Sequence, residues 1–154
     1  MRGSSNGRQP LVAVCLGTDP NHFDRLIGWV SDLARGQWVD WFVQHGHTPL
    51  PERLSGSPML DPVALAALLE MADVVVTHGG PAMIMEARAA GHVPIVVPRR
   101  DALGEHSHEL SQELLADRLS PTGTIRVAAS REQLEAVVRR TLASLPASRS
   151  LTTH

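Results

Sequence analysis

The fold is predicted most clearly from the stretch Ala72-Asp73-Val74-Val75-Val76-Thr77-His78-Gly79-Gly80-Pro81. Residues 73–77 form a short, valine-rich run, and such a run is typical of a strand that is buried on both faces of a parallel sheet. Two glycines then turn the chain, and Pro81 suits the first position of a helix. The stretch therefore predicts a strand, a tight turn and a helix in immediate succession.

Strands and helices alternate on both sides of this stretch. Further strands are predicted at 11–16, 39–44, 94–97 and 124–127, with a short extended piece near 59–60. Helices are predicted at 21–35, with Gly36 as C-cap, and at 62–71, 81–90, 105–118 and 130–143. This alternation predicts one α/β domain, a doubly wound Rossmann-like parallel sheet over residues 11–144. Residues 1–10 and 145–154 are predicted as flexible tails.

The composition excludes several classes of function. The chain has 154 residues and a formal net charge of −2, which gives no general attraction to nucleic acid or an anionic membrane. It contains no lysine, so a P-loop or a pyridoxal phosphate site lacks its essential residue. Cys15 stands alone in an apolar run, so we interpret it as a buried hydrophobic residue. No apolar run approaches the roughly 20 residues of a spanning helix, and we expect a cytoplasmic protein without direct membrane insertion.

The turn His78-Gly79-Gly80-Pro81 is the strongest local signal for a ligand. Ligands of open α/β sheets bind beyond the carboxyl ends of the strands, where this turn lies. Glycines let backbone N–H groups approach an anion closely, and the helix N-terminus carries about half a positive charge. The pattern favours a phosphate or diphosphate, and a glycine-rich turn without a ligand is the alternative.

Three charged residues lie near this turn in the predicted fold. Glu86, in the second turn of the helix, could accept hydrogen bonds from ribose hydroxyls or could be a surface residue paired with Arg88. Arg99 and Arg100 follow a strand at the same sheet edge, where they could neutralise a diphosphate or be solvated loop residues.

Two histidine pairs suggest a metal only weakly. His45-x-His47 and His106-x-His108 have no acidic residues at ligand spacing, so no metal site is expected. The sequence also has no Gly-x-Ser-x-Gly elbow, and no Gly-x-Gly-x-x-Gly follows the first strand. Both α/β-hydrolase and NAD-binding Rossmann functions are therefore disfavoured.

Several stretches together resemble the C-terminal domain of glycosyltransferase family 28, over about residues 11–140. They are Val14-Cys15-Leu16-Gly17-Thr18 with Phe23-Asp24-Arg25-Leu26, then Gln44-His45-Gly46, the run from Ala72 to Ala87, Pro94-Ile95-Val96-Val97-Pro98-Arg99-Arg100 and Gly104-Glu105-His106. The resemblance implies the donor-binding half of a GT-B glycosyltransferase, with a UDP-sugar co-substrate, an inverting mechanism, no metal and no cofactor. It implies that the glycine loop holds the diphosphate, that Glu86 binds ribose and that the segment after Arg100 touches the sugar.

The substrate-binding set implied in this way is Gly17, Thr18, His78, Gly79, Gly80, Pro81, Ala82, Met83, Glu86, Arg99, Arg100, Glu105, His106 and Gln112. Transition-state support is expected from residues 78–80, and no general base is identified. Two positions depart from the family pattern. Met83 stands where relatives often carry a threonine, and Gln112 matches the family glutamine only if one extra residue is allowed.

The chain also resembles members of this family in which the donor-binding half stands alone, which implies a membrane-associated, acceptor-binding glycosyltransferase subunit as partner. We therefore expect transfer of a hexose or N-acetylhexosamine to a polyprenyl-diphosphate-linked acceptor, with the chain held at the membrane only through its partner. Two alternatives stay open, a non-catalytic UDP-sugar-binding or scaffold subunit and a domain like that of UDP-sugar 2-epimerases.

Overall fold

A computed structural model describes residues 8–105 and 111–146. In this part of the chain, strands and helices alternate along the sequence. The strands are β1 (Leu11–Cys15), β2 (Asp40–Gln44), β3 (Ser55–Ser57), β4 (Val74–His78), β5 (Ile95–Val97) and β6 (Arg126–Val127). The helices are α1 (Asp24–Ala34), α2 (Pro62–Met71), α3 (Pro81–Ala89), α4 (Gln112–Leu119) and α5 (Arg131–Ala143), with short 3-10 helices at Asp101–Leu103 and Ser120–Thr122.

The six strands form one sheet in the order β3-β2-β1-β4-β5-β6, and every pair is parallel. This is the order of doubly wound, dinucleotide-binding folds. The predicted fold class is confirmed. Because the order reverses between β1 and β4, the loops that follow these two strands diverge and leave a crevice at the carboxyl edge.

Hydrophobic side chains cover both faces of the sheet. Val12 and Val14 of β1 pack against α1 and α5, whereas Ala13 and Cys15 pack against α2 and α3. All four side chains are fully buried. This two-sided burial explains why the central strands are continuously apolar.

Polar caps fix the starts of two helices where the sequence predicts them. Asp61 accepts a hydrogen bond from the Ala64 amide at 2.8 Å, and Pro62 occupies the first position of α2. Ser130 accepts from the Gln133 amide at 3.1 Å at the start of α5. Each cap satisfies an amide that has no acceptor within its own helix.

Three local predictions are wrong. The edge strand lies at Ser55–Ser57 rather than near 59–60. A Cβ on Gly56 would lie 2.2 Å from the Val43 carbonyl oxygen, so glycine lets this strand approach β2 although its composition is poor for a strand. The helix predicted at 105–118 is α4, which begins at Gln112 because Ser111 caps the Leu114 amide at 3.2 Å. Glu105 is not helical, and residues 106–110 of the predicted helix lie outside the described residues. After α1, the left-handed residue is Gln37 with φ 53°, not Gly36.

Residues 8–10, which the sequence assigns to a tail, are attached to the amino edge of the sheet. Arg8 forms an ion pair with Asp73 at 3.2 Å, and the Pro10 carbonyl accepts from the Asp40 amide at 2.8 Å. The rest of the two predicted tails, apart from Leu145 and Pro146, lies outside the described residues. Among the described residues, no helix has the length and apolar character needed to cross a membrane.

Candidate functional site

The candidate site is the gap between the loop after β1 and the turn after β4, which we call the switch crevice. Cys15 pairs with Thr77 in the sheet, so the two strands end side by side. Residues 17–18 form one wall of the crevice and residues 78–80 form the other. The topology therefore brings together two groups of predicted site residues that are about 60 positions apart in the chain.

The imidazole of His78 fills the space between these walls. A Cβ on Gly17 would lie 2.6 Å from His78 Nε2, and a Cβ on Gly80 would lie 2.4 Å from His78 Cε1. Gly17 also has a φ of +72°, which side chains rarely adopt. Both glycines are thus required by the packing of the histidine ring, a reason that the sequence alone does not reveal.

Gln112 binds the back of the His78–Gly80 turn. Its Oε1 accepts hydrogen bonds from the backbone amides of Gly79 at 3.0 Å and Arg99 at 2.9 Å, and its Nε2 lies 3.2 Å from His78 Nδ1. The side chain is only 5% exposed. Two expectations are corrected here. The Gly79 amide, expected at the diphosphate, already has an acceptor within the protein. The Gln112 side chain, expected at the sugar, points inward.

Gln44 holds the opposite wall in a similar way. Its Oε1 accepts from the Gly17 amide at 2.8 Å, and its Nε2 donates to the Gly17 carbonyl at 2.9 Å and the Pro58 carbonyl at 2.9 Å. Sequence reasoning missed this role. The available signal was a glutamine at the end of β2, directly after the apolar run Trp41-Phe42-Val43, where a buried amide needs several polar partners.

The Arg99 side chain is buried and connects backbone segments inside the protein, rather than facing a diphosphate. It is 1% exposed, and its guanidinium donates to the carbonyls of Leu16 at 3.1 Å, Asn21 at 3.0 Å and Glu105 at 2.7 Å. It also lies 4.9 Å from the Phe23 ring centroid. Neither sequence interpretation, diphosphate contact or solvated loop residue, agrees with this burial. Burial lowers the pKa of the guanidinium, whereas the nearby carboxylates of Asp19 and Glu105 raise it.

Glu105, expected beside the sugar, is also turned inward. Its carboxylate accepts from Arg25 Nη2 at 2.9 Å, from Arg25 Nε at 3.1 Å and from the Arg100 amide at 2.8 Å. Arg25 donates as well to the Pro98 carbonyl at 2.9 Å. This pair joins the start of α1 to the loop after β5 and so fixes the rim of the crevice.

The exposed polar groups beside the crevice lie mainly at the N-terminus of α3. The amides of Ala82 and Met83 belong to the first turn, whose N–H groups have no acceptor within the helix. Ala82 and Glu86 are exposed on the same helix face, whereas the Met83 side chain packs into the core with Cys15. Because this side chain faces inward, a methionine rather than a threonine there leaves the backbone amide available to a ligand.

The remaining predicted site residues have varied positions. Thr18 and Pro81 are exposed at the crevice. Arg100 is exposed on the rim and pairs with Glu113 at 3.3 Å. His106 lies outside the described residues. His45, from one histidine pair, has its Nδ1 2.8 Å from the Thr48 carbonyl oxygen, and no group of three metal-ligating side chains occurs in the described ranges.

Comparison with known proteins places this geometry in a family. Residues 62–150 match the model of the glycosyltransferase family 28 C-terminal domain. Among curated proteins, no sequence matches the chain. The glycosyltransferase of kitacinnamycin is 25% identical with a TM-score of 0.65, over 96% of this chain but only 38% of its own.

Two smaller proteins share the fold over nearly their whole length. The solution structure of ALG13 has a TM-score of 0.57 at 16% identity, over 89% of this chain and 87% of its own. A molybdenum cofactor carrier protein from Chlamydomonas reinhardtii has a TM-score of 0.57 at 12% identity, over 89% of this chain and 100% of its own. At such identities the likeness establishes the fold alone, so the assignment rests on the matched residues. The matched residues include the wall of the switch crevice at 78–80, α3 and Gln112. The chain therefore belongs to the glycosyltransferase family 28 C-terminal domain family.

Proposed function

We propose that the switch crevice binds a UDP-sugar and that the chain is the donor-binding, catalytic subunit of an inverting glycosyltransferase. The observation that supports this most is the N-terminus of α3, which directly follows the His78–Gly80 turn and whose first-turn amides have no acceptor within the helix. Family membership supplies the class of reaction. The groups along α3 suit a nucleoside diphosphate, and the choice of a uridine nucleotide rests on the resemblance to the family.

The diphosphate would bind at the first turn of α3. The amides of Ala82 and Met83 would donate to its oxygens, and the helix dipole would favour its negative charge. The Gly79 amide takes no part because Gln112 already accepts its hydrogen. Arg100 is the exposed arginine on the rim, and it could exchange Glu113 for a phosphate oxygen.

The ribose would bind one turn further along the helix. Glu86 follows Ala82 by four residues, which places it about 6 Å further along the helix axis and on the same face. At that distance its carboxylate avoids contact with the diphosphate and can accept hydrogen bonds from ribose hydroxyls. Glu86 is exposed, so it is accessible to a ligand.

The reaction would be a direct displacement at the anomeric carbon. An acceptor hydroxyl oxygen forms a bond to this carbon while the bond to UDP breaks, and the hydroxyl proton goes to a general base. The departing UDP takes the electron pair, and the α3 amides would stabilise its charge. No metal is needed in this scheme, and the base would come from the acceptor-binding part of the enzyme.

The acceptor-binding part would lie on a second polypeptide. The likeness covers 38% of the glycosyltransferase of kitacinnamycin, so most of that enzyme has no counterpart in these residues. We propose a membrane-associated partner that binds a polyprenyl-diphosphate-linked acceptor and receives a hexose or N-acetylhexosamine from the donor. The chain would reach the membrane through this partner.

One observation favours a second candidate function, a UDP-sugar-binding subunit without catalytic activity. Glu105 and Gln112 are the residues expected at the sugar, and both side chains bind groups inside the protein. A donor could then be held by its nucleotide alone. Transfer measured with the partner present separates the two functions, because a non-catalytic subunit would bind UDP and give no product.

Calorimetric titration of the chain with UDP, with a UDP-hexose and with ADP tests the donor class. We expect binding of both uridine nucleotides in preference to ADP, with modest affinity because the proposed acceptor-binding partner is not present in the titration. A titration that shows equal affinity for UDP and ADP would contradict the proposal. A Glu70→Ala variant, changed on an exposed position of α2 away from the crevice, provides a folded control for later variants.

A further inference from the structure

Gln112 contacts three groups in two segments of the site, the His78–Gly80 turn and the loop after β5. We infer that Gln112 is a positioning residue that holds His78 in the neutral tautomer with its proton on Nε2. The consequence for donor binding rests on the proposed function, whereas the tautomer itself can be measured without any ligand.

The orientation of the Gln112 amide comes first. Its Oε1 lies 3.0 Å from the Gly79 amide nitrogen and 2.9 Å from the Arg99 amide nitrogen, and both of these groups are donors. If the side-chain amide were flipped, its NH2 group would face two N–H groups at hydrogen-bond distance. The two backbone donors therefore fix the oxygen and the nitrogen of this side chain.

The tautomer of His78 follows from that orientation. Gln112 Nε2 can only donate, and it lies 3.2 Å from His78 Nδ1. To accept this hydrogen bond, Nδ1 must carry a lone pair, so the proton of the neutral ring is on Nε2.

The position of Nε2 makes this tautomer useful for a ligand. Nε2 would lie 2.6 Å from a Cβ on Gly17 and 2.9 Å from a Cβ on Gly80, which places it between the two walls of the switch crevice. An N–H group there can donate to a phosphate oxygen, whereas a lone pair would repel it. Gln112 thus acts through His78 and need not touch the donor.

Long-range proton–nitrogen NMR spectra of the intact chain test the inference directly. The His78 ring is assigned by the signal that disappears in His78→Gln. We expect Nδ1 to have the shift of an unprotonated nitrogen and Nε2 that of a protonated one. A protonated Nδ1 in the wild-type protein would overturn the inference.

Gln112→Glu changes only the group that faces His78. One carboxylate oxygen can still accept from Gly79 and Arg99, while the other now accepts rather than donates. We expect the Nδ1 resonance to become protonated and the affinity for UDP to fall by roughly tenfold. An unchanged Nδ1 resonance in the folded variant would contradict the inference. Gln133→Glu is the matched control, since Gln133 Oε1 also accepts a backbone amide but lies on α5.

These readouts separate the inference from the proposed function. If the wild-type ring has the expected tautomer and the chain does not bind UDP, the proposed function fails and the role of Gln112 stands. If UDP binds and Nδ1 is protonated, the role of Gln112 fails and the donor site stands. Should Gln112→Glu not fold, the wild-type spectrum alone decides the tautomer.

Discussion

Three glycine-to-alanine substitutions separate the strain of a left-handed backbone from a collision with His78. At Gly80, φ is −72°, which alanine adopts freely, but its Cβ would lie 2.4 Å from His78 Cε1. At Gly123, φ is +78° and no atom lies within 4 Å of the added carbon. Gly17 combines both features, with a φ of +72° and a Cβ position 2.6 Å from His78 Nε2.

The expected magnitudes follow from these distances. Gly123→Ala should cost roughly 1–2 kcal/mol of unfolding free energy, the usual penalty for a left-handed alanine. Gly80→Ala should cost roughly 1–3 kcal/mol through overpacking, because the histidine ring is 7% exposed and is held by Gln112. Gly17→Ala should cost roughly 2–5 kcal/mol, the sum of the two effects.

Urea denaturation of the three variants, with and without His78→Ala, measures both terms. In the His78→Ala background, the cost of Gly80→Ala should fall by most of its value, whereas that of Gly123→Ala should not change. The difference between the two backgrounds cancels the effects of alanine on the unfolded chain and on the helix cap, because these effects are present both with and without the ring. An unchanged cost of Gly80→Ala after removal of the ring would refute the idea that the glycines exist to accommodate His78.

Three further predictions concern the donor, the buried thiol and the partner. Glu86→Ala should weaken UDP binding by roughly tenfold to a hundredfold, because a charge-assisted hydrogen bond worth about 1.5–3 kcal/mol is lost, while Glu70→Ala should leave the affinity unchanged. Equal calorimetric affinities of Glu86→Ala and the wild type for UDP would show that Glu86 is only a surface residue. Burial raises the pKa of Cys15 from 9.0 to about 12. Below pH 9.0 the thiol is neutral in both the folded and the unfolded protein. Between pH 9.0 and about 12 the thiol ionises only in the unfolded chain, so the urea midpoint should fall with rising pH more steeply for the wild type than for Cys15→Ala. Parallel pH profiles of the two proteins would contradict this. The purified chain alone should give negligible transfer to a lipid-linked acceptor, and co-expression with a membrane-associated partner should give measurable transfer. Robust transfer by the chain alone would argue against an acceptor-binding part on a second polypeptide.

The sequence predicts the fold well because its central strands follow one simple physical rule. Continuous valine runs need cover on both faces, and the caps at Asp61 and Ser130 mark helix starts through local chemistry. The wrong predictions concern places where tertiary contacts outweigh local preference. The strand at Ser55–Ser57 forms because Gly56 allows close approach to β2. Its sequence contains no residue that favours a strand, so it could not be predicted.

The candidate site is predicted less completely. The location of the His78–Gly80 turn at a strand end could be predicted, because it depends only on the order of strand, turn and helix. The inward orientations of Arg99, Glu105 and Gln112 could not be predicted, because they depend on carbonyls and amides of distant segments that meet only in the folded chain. A charged residue after a strand gives no local sign of whether it faces a ligand or the interior.

Amide chemical-shift changes on titration with UDP show directly whether the donor binds at the switch crevice. We expect the largest changes at Gly17, Ala82 and Met83, with small changes at Gly123. A different cavity lies at the amino edge of the sheet, lined in part by Trp38 and Leu142. Changes that cluster around Trp38 and leave the first turn of α3 unaffected would contradict the account.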